Sequence, residues 1–213
     1  MKILELFAGS RSIGKVAESL GHDVFSIDIN DFEGIDLVQD IEFLMPNQIP
    51  FKPDMVWASP PCTTYSLAAI STHRNLDRTP KTAFAAKSDR LVKNTIDLIK
   101  YFDCVFYIEN PRATLSKMDF MRGIPFATVW YCKYGDIRAK PTSIFSNNIR
   151  TLFNENGWNP RPQCYNGNKN CHHESAPRGS RTGTQGLKGN YERSKIPEEL
   201  CKEIILSTTK IEQ

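Results

Sequence analysis

Long apolar runs are absent from this sequence of 213 residues. A membrane-spanning helix needs roughly 18 or more consecutive apolar residues, and no stretch approaches that length, so we expect no membrane partner. The amino terminus, Met1–Leu6, turns acidic too early for a signal peptide. The six cysteines are scattered in unlike contexts instead of being spaced as a disulfide framework. Together these absences predict a reduced, cytoplasmic protein.

Strong net charge, internal repeats and low-complexity tracts are also missing. The formal net charge of +3 and the pI near 8.5 permit a nucleic-acid partner without requiring one. The length suits one domain with a full hydrophobic core. Segments with strand and helix periodicity alternate along the chain, which predicts an α/β fold with a mainly parallel sheet.

The stretch from Asp54 to Ser66 carries the first chemical signal. It starts as a short apolar strand, which Pro60 and Pro61 end because proline cannot donate a ladder hydrogen bond. Cys62 follows on a stiff loop past the carboxyl end of that strand, where open parallel sheets bind ligands. Its thiol is either a nucleophile, if the surroundings favour the thiolate, or an inert buried cysteine.

The beginning of the chain resembles a Rossmann-type unit. Lys2–Phe7 predicts a strand, and Gly9 lies in the turn that follows it. Ser12 would cap the next helix, and Gly14 lies just after this cap. The middle glycine of the usual fingerprint is missing, so the turn either binds a polar ligand or is only a tight connection. Asp28 ends the next strand about 20 residues later, where such folds bind ribose hydroxyls. A solvated strand-end aspartate is the alternative.

The middle of the chain adds a second candidate. Residues 72–87 are polar and basic, which predicts either a loop that closes over substrate or a plain surface loop. Ser88 would cap the helix that follows, whose apolar stripe packs on the sheet. Val105–Ile108 is the next buried strand and delivers Glu109, a reactive or a solvated carboxylate. Residues 126–134 and 143–147 predict a hairpin at one edge of the sheet.

From residue 150 onwards Gly, Pro, Asn and Ser dominate. Between 150 and 195 eight Lys or Arg residues stand against three Glu, a surplus of five, so this region either lies along phosphates or is a solvated loop. Within it, four good zinc ligands fall inside ten residues: Cys164, Cys171, His172 and His173. Their spacing matches no standard zinc finger, and Cys132 is a further candidate ligand. The cluster predicts either structural zinc or free surface side chains.

Taken in order, these motifs resemble the DNA (cytosine-5) methyltransferase family. Leu6-Phe7-Ala8-Gly9 resembles the cofactor loop of that family. Pro60-Pro61-Cys62 with Tyr65-Ser66 resembles its nucleophile motif, and Glu109-Asn110 resembles its Glu-Asn motif. Proline stands at 111 where the family usually has valine. Tyr134-Gly135 followed by Arg138 and Lys140 resembles the family's paired-arginine motif, with a lysine in place of the second arginine. Arg193–Pro197 is similar to its final motif.

The resemblance implies methylation of cytosine carbon 5 in DNA, in a bacterial or phage-infected cell. Cys62 would attack carbon 6 of the ring, and Glu109 would bind the ring near N3. Arg138, with Lys140, would contact O2 and lower the pKa of the thiol. Inside a duplex the base would have to be flipped out. The remaining implied substrate contacts are Ser66, Asn110, Arg178 and Arg181.

The resemblance also implies S-adenosylmethionine as the cofactor and a Rossmann-like fold for binding it. The residues that would line its site are Phe7, Ala8, Gly9, Ser12, Ile13, Asp28, Ile29, Asp40, Ile41 and Pro60. Among them, Asp28 would bind the ribose, and Asp40 with Ile41 the adenine edge. The segment from Ala69 to Lys87 would be the family's mobile catalytic loop. The implied organisation is a catalytic domain at 1–149, a reduced target-recognition insert at 150–192 and a completing helix at 193–213.

Two departures keep other readings open. The region available for target recognition is short, and the family's arginine-rich motif before the last helix is not recognisable, which favours relaxed DNA specificity and leaves RNA cytosine as an alternative substrate. Amino-group methylation is a second alternative, because Ser59-Pro60-Pro61 partly fits its motif. A non-catalytic nucleic-acid-binding homologue is the third, although it would have no need to keep Cys62, Glu109 and Arg138.

Overall fold

A seven-stranded sheet organises residues 1–174 and 189–209, which are the residues that this computed structural model describes. The strands are β1 Lys2–Leu6, β2 Asp23–Asp28, β3 Leu37–Val38, β4 Met55–Ala58, β5 Val105–Pro111, β6 Phe126–Trp130 and β7 Pro141–Ser146. Their spatial order is β3-β2-β1-β4-β5-β7-β6. Pairs among the first five strands are parallel, whereas β7 is antiparallel to both β5 and β6. The predicted α/β fold and edge hairpin are both confirmed.

Helices cover both faces of the sheet. They are α1 Ser12–Ser19, α2 Ile70–His73, α3 Ala83–Phe102, α4 Asn190–Ser194 and α5 Glu198–Thr209. One face packs under α3, where Leu91, Val92, Ile96 and Ile99 share a core with Leu4, Leu6, Val56 and Ile108. The opposite face packs under α1 and α5, where Ile13, Ala17, Leu200 and Ile204 share a core with Ile3, Trp57 and Tyr107. Because successive strand residues point to opposite faces, one strand supplies both cores.

This layering leaves only the ends of the strands open to ligands. Every residue of β4 is buried, and so are the last four residues of β1. The first five strands run in one direction, so their carboxyl ends meet at a single edge. The turns that follow β1, β2, β4 and β5 all lie along that edge, and they carry the residues singled out by the sequence.

Two predicted helix caps are wrong. Helix α1 begins at Ser12 itself, after Arg11 in the left-handed region (φ +54°), and neither Arg11 nor Ser12 supplies a side-chain cap. Helix α3 begins earlier than expected, and the Thr82 hydroxyl accepts a hydrogen bond from the backbone N–H of Ala85 at 3.2 Å. Ser88 lies inside this helix and is buried, because the polar segment before it is shorter than the sequence suggested.

The start of the region after residue 149 is joined to the body of the protein. Trp158 is 2% exposed and lies in the core beneath α5, where its indole N–H donates to Glu203 Oε1 at 3.0 Å. Arg161 Nε donates to Glu203 Oε2 at 2.9 Å. Trp158 and Arg161 therefore join the start of this region to the last helix. Within the described ranges, no helix has the length and apolar character needed to cross a membrane.

Candidate active site

Cys62 lies where the sequence predicts, on the loop after β4. Its side chain is partly exposed, and it immediately precedes a single 3-10 turn, Thr63–Tyr65. The Cys62 carbonyl accepts hydrogen bonds from the backbone N–H groups of Tyr65 and Ser66, both at 3.0 Å. These two hydrogen bonds fix the backbone at Cys62. The two prolines before it have no N–H group and cannot contribute such bonds.

Glu109 is the buried carboxylate of the site. It lies in β5, next to β4 in the sheet, and is 6% exposed. Its Oε1 accepts a hydrogen bond from the Tyr131 hydroxyl at 2.9 Å and lies 3.7 Å from Lys140 Nζ. A buried carboxylate needs such partners, since an unpaired charge away from water is costly. The predicted strand-end glutamate is therefore a partnered group in the interior and not a solvated one.

The electrostatics of the thiol show that these groups surround it. Burial raises the pKa of Cys62 above its ordinary value, and the nearby Glu109 carboxylate raises it further. The two cations that most oppose this rise are Lys140 and Arg193. Lys140 lowers the pKa of the thiol as the resemblance implied, whereas the same effect of Arg138 stays a prediction.

Arg138 is held by the protein itself. Its guanidinium makes a paired hydrogen bond to the Asp136 carboxylate, and both side chains are largely buried. The same guanidinium donates to the carbonyls of Arg193 at 3.2 Å and Lys195 at 3.1 Å. Arg138 therefore ties the β6–β7 connection to the segment before α5. Contact of Arg138 with a cytosine O2 stays a prediction.

Lys140 takes up an unusual backbone conformation at the beginning of β7. Its φ is +20°, outside the regions that lysine normally adopts. Its Nζ lies 4.5 Å from the centre of the Tyr131 ring, besides its contact with Glu109. An ammonium over an aromatic face and beside a carboxylate is stabilised by both. Backbone strain of this kind persists where surrounding contacts enforce it.

Two of the predicted substrate-binding residues are used internally. Asn110 is fully buried, and its Nδ2 donates to the Pro60 carbonyl at 3.1 Å. This bond joins the Glu-Asn strand end to the loop that carries Cys62, and contact of Asn110 with a substrate stays a prediction. The Ser66 hydroxyl is half-buried and accepts from the Ala68 N–H at 3.3 Å. Arg178 and Arg181 lie outside the described residues.

The predicted cofactor loop lies across the ends of β1 and β2. Phe7 and Gly9 both have positive φ, +56° and +48°. The Ala8 N–H donates to the Ile27 carbonyl at 3.0 Å, and the Gly9 N–H donates to Asp28 Oδ2 at 3.0 Å. Glycine is favoured at position 9 because a side chain in this conformation is strained. The loop is thereby held open beside the carboxylate that was predicted to bind ribose.

The surroundings of the other predicted cofactor residues differ. Ile29 is 57% exposed beside Asp28, whereas Ile13 is fully buried in the core and its N–H donates to Glu5 Oε1 at 3.2 Å. Direct contact of Ile13 with a cofactor is therefore disfavoured. The Ser12 hydroxyl accepts a hydrogen bond from the Ile196 N–H at 3.1 Å, so the final motif lies against this loop. Pro60 is buried beneath the nucleophile loop.

Asp40 begins the short 3-10 helix Ile41–Phe43 and pairs with a lysine of α3. Its carboxylate accepts from the Glu42 N–H at 3.0 Å and from Lys87 Nζ at 2.6 Å. Burial acts to raise the pKa of Asp40, but these two donors outweigh it and lower the pKa overall. Ile41 is buried in the core beneath this turn. Lys87 was expected in a mobile loop and instead anchors the turn.

A buried ion pair stabilises the segment after the nucleophile. Arg74 is 3% exposed, and its guanidinium pairs with the Asp89 carboxylate of α3 at 2.7 Å. It also donates to the Thr64 carbonyl at 2.8 Å and lies over the Tyr65 ring, whose hydroxyl donates to Asp89 at 2.9 Å. The beginning of the predicted mobile loop is thus fixed to α3. Sequence reasoning missed this network, because nothing local marks Arg74 as buried.

Glu5 is the second buried group that the sequence did not single out. It is 2% exposed, and it accepts hydrogen bonds from the N–H groups of Ile13 and Gly14 at 3.2 Å and from the Ser26 hydroxyl at 2.8 Å. Burial raises its pKa to about 7. An acidic residue inside an otherwise apolar strand was the available signal. Glu5 satisfies the free N–H groups at the beginning of α1.

The cysteine–histidine cluster assembles with a changed membership. The ligand atoms of Cys132, Cys164, Cys171 and His173 all lie within 4.8 Å of one another. His172, which was predicted to belong to the cluster, is exposed, and its Nε2 lies 3.0 Å from the Asp136 carbonyl. Cys132 takes its place because the 3-10 turn after β6, Tyr131–Tyr134, carries it to the same spot.

The order and directions of the strands are those of the Rossmann-like fold found in S-adenosylmethionine-dependent methyltransferases. An Escherichia coli prophage protein named as a DNA modification methyltransferase superposes with a TM-score of 0.52 at 14% identity, over 68% of this chain and 46% of that one. The Entamoeba histolytica methyltransferase EhMeth gives a TM-score of 0.51 at 17% identity, over 73% of this chain and 57% of that one. Likeness at these identities shows the fold.

A curated relative narrows the class. A probable DNA (cytosine-5)-methyltransferase of Frog virus 3 (isolate Goorha) is 30% identical to this chain over 147 residues, or 64% of its length. The chain covers 65% of that relative, just under two thirds. No protein-family profile matches the sequence. The resemblance to the DNA (cytosine-5) methyltransferases, first indicated by the motifs, is confirmed by this relative.

Proposed function

We propose that this protein methylates carbon 5 of cytosine in DNA, with S-adenosylmethionine as the methyl donor. One observation carries the proposal: three groups from distant parts of the sequence converge at one edge of the sheet. They are the partly exposed thiol of Cys62, the buried carboxylate of Glu109 and the ammonium of Lys140. A nucleophile, a polar group for the ring and a cation are what addition to a pyrimidine requires.

Cys62 acts as the covalent nucleophile. Its thiolate adds to carbon 6 of cytosine, a sulfur–carbon bond forms, and the electron pair of the 5,6 double bond makes carbon 5 nucleophilic. After methylation, a base removes the carbon 5 proton, the sulfur–carbon bond breaks, and the thiolate leaves as the double bond returns. Carbon 5 is otherwise too weak a nucleophile, so the covalent step splits one difficult reaction into two easier ones.

The surroundings of the thiol imply that substrate binding activates it. Burial and the Glu109 carboxylate keep the pKa of Cys62 high in the free protein. As Cys62 ionises, its proton passes to Glu109, directly or through solvent, and the protonated carboxyl donates a hydrogen bond to ring N3. The negative charge of Glu109 then no longer opposes the thiolate, while Lys140 continues to favour it. The same hydrogen bond stabilises the charge that develops on the ring. A nucleophile activated in this way is protected from side reactions between turnovers.

The residues at the ends of β1 and β2 fit the proposed methyl donor. A Cβ placed on Gly9 would meet only the Phe7 carbonyl at 3.9 Å and the Ser194 hydroxyl at 4.0 Å, so space is open above the loop. Asp28 and Asp40 place carboxylates at neighbouring turns, suited to ribose hydroxyls and to an adenine edge. When bound, the donor supplies an electrophilic methyl group.

Exposed cations beside the site fit a DNA partner. Arg112 follows the Glu-Asn strand end directly, and Arg78 and Lys81 lie on the segment that follows the nucleophile loop. All three are exposed. Phosphate neutralisation by such side chains provides most non-specific DNA affinity. In the proposed organisation, residues 1–149 and 193–213 form the catalytic unit and residues 150–192 a reduced target-recognition insert. Methylation of DNA in the cytoplasm of a bacterial or phage-infected cell fits the location expected from the sequence.

Trapping with a mechanism-based substrate tests the proposal. Duplex oligonucleotides containing 5-fluorocytosine, incubated with the full chain and S-adenosylmethionine, should give a covalent adduct that survives denaturing electrophoresis, because fluorine cannot leave as a proton does. Cys62→Ala should abolish the adduct. Cys104→Ala, which changes a half-buried cysteine elsewhere, should retain it.

Each other outcome identifies an alternative. Methyl transfer to unmodified DNA without an adduct would indicate amino-group methylation. An adduct with RNA oligonucleotides alone would move the substrate from DNA to RNA. Binding of DNA without adduct or methyl transfer would indicate a non-catalytic homologue. Full methyl transfer by Cys62→Ala would show that Cys62 is not the nucleophile.

A further inference from the structure

We infer that Cys132, Cys164, Cys171 and His173 bind a structural zinc ion that fastens the segment 162–174 to the β6–β7 connection. Their ligand atoms all lie within 4.8 Å of one another, from two separate parts of the chain. Tetrahedral zinc with ordinary bond lengths sets a sulfur and a nitrogen ligand about 3.6 Å apart. Cys164 Sγ and His173 Nδ1 are 3.8 Å apart. The four side chains thus need little movement to coordinate an ion.

The His173 imidazole supplies an independent observation. It is 7% exposed, and its Nε2 is a buried nitrogen without a hydrogen-bond partner among the described residues. Buried polar atoms are almost always paired, and an exception needs a physical reason. With Nδ1 facing Cys164 and no hydrogen bond made by Nε2, this ring is poorly satisfied as it stands. Coordination of a metal ion through Nε2 satisfies this atom, and coordination through Nδ1 satisfies the nitrogen that faces Cys164.

The packing around the cluster indicates why a metal is needed. Among the residues that the structure describes, the local apolar cluster consists of Trp130, Cys132, Ala139 and Cys164, with Cys171 packed against it. Three of those five residues are the proposed ligands, so few apolar side chains remain to hold the segment in place. Small units without a sufficient core commonly depend on a metal or disulfides. Coordination by four protein ligands leaves no open position, which is typical of a structural site.

The chemistry of the ligands selects the metal. Three sulfur ligands and one imidazole form a soft, four-coordinate set, which suits zinc and disfavours calcium or magnesium. Asn168 Nδ2 lies 3.4 Å from Cys164 Sγ and donates a hydrogen bond to it. Such outer hydrogen bonds orient metal-bound thiolates and are part of most zinc sites.

The position of the site connects it to the reaction edge. Cys132 lies in the turn Tyr131–Tyr134, and the chain then continues to Asp136 and Arg138. On the other side of the cluster, His172 Nε2 lies 3.0 Å from the Asp136 carbonyl, and the Glu174 N–H donates to the Ile137 carbonyl at 2.9 Å. Zinc therefore holds in place the same connection in which Asp136 orients Arg138.

Metal analysis of the purified full chain tests this inference without measuring methylation. We expect about one zinc per chain. Cobalt loaded in its place should give the intense visible absorption of a tetrahedral thiolate complex. Cys164→Ser and Cys171→Ser should reduce the zinc content to background. The matched variants His172→Ala and Cys104→Ser should retain about one zinc per chain, because neither side chain belongs to the cluster.

A folding defect is separated from loss of the ligand by a second measurement. Removing zinc from the wild-type chain with a chelator should increase proteolytic cleavage between residues 162 and 174, and restoring zinc should reverse it. A folded chain that binds no metal when zinc is supplied, and whose Cys164 and Cys171 thiols react equally fast with and without zinc, would overturn the inference. A disulfide between two of the three cysteines, or a full zinc content in Cys164→Ser, would overturn it as well.

Discussion

Replacing Glu5 should change how the stability of the protein depends on pH. The carboxyl is 2% exposed, and burial raises its pKa from 4.5 to about 7. The folded state therefore binds a proton that the unfolded state has already lost between these two pH values. Stability consequently falls as pH rises through this window, and is greatest below it. A shift of this size corresponds to about 3 kcal/mol.

The variant Glu5→Gln isolates this contribution. Glutamine keeps an acceptor for the N–H groups of Ile13 and Gly14 but cannot lose a proton. Urea unfolding of both proteins at several pH values between 4.5 and 8 should show a loss of about 3 kcal/mol in the wild type that is absent from the variant. Glu155→Gln, at an exposed glutamate, should behave like the wild type. Equal pH slopes for Glu5→Gln and the wild type would refute the reasoning.

Three further substitutions test the site. Lys140→Met should raise the pKa of the Cys62 thiol further, because the cation that most opposes the rise is lost. Alkylation of Cys62 should then need a higher pH than in the wild type. Lys140→Arg keeps the positive charge and should behave more like the wild type. Arg74→Met leaves the Asp89 carboxylate buried without its cation and should lower the free energy of unfolding by about 3–5 kcal/mol, measured by urea denaturation. Arg112→Ala should weaken DNA binding and reduce the slope of log K against log salt concentration by about one, measured by fluorescence anisotropy; an unchanged slope would remove Arg112 from the interface.

The general architecture could be predicted because it follows from short-range patterns. Buried apolar runs ended by Pro60 and Glu109 indicate strands, and parallel strands bring their carboxyl ends to one edge. That rule alone places Cys62 just after β4 and Glu109 near the end of the neighbouring strand β5. The hairpin of β6 and β7 was visible from its spacing, and it carries Lys140 to the same edge.

The missed features depend on contacts between distant residues. Arg74 looks like a surface residue in a basic segment, and only its pairing with Asp89 on α3 explains its burial. Cys132 precedes β7 and the other zinc candidates follow it, whereas His172 is adjacent to them in sequence but turns towards Asp136. Local spacing cannot rank such candidates, because the fold decides which side chains meet.

The bond between the Ile196 N–H and the Ser12 hydroxyl spans 184 positions of the chain. A ribosome therefore makes the predicted cofactor loop around Gly9 well before Ile196, whose segment lies against this loop. Helix α5, which holds that segment in place, buries Leu200 and Ile204 against the first helix. A nascent chain that has not yet released this helix has an uncovered loop, and closing so distant a contact is a slow step in folding. The contact that covers this loop is consequently made only after the chain has been translated as far as Ile196 and α5.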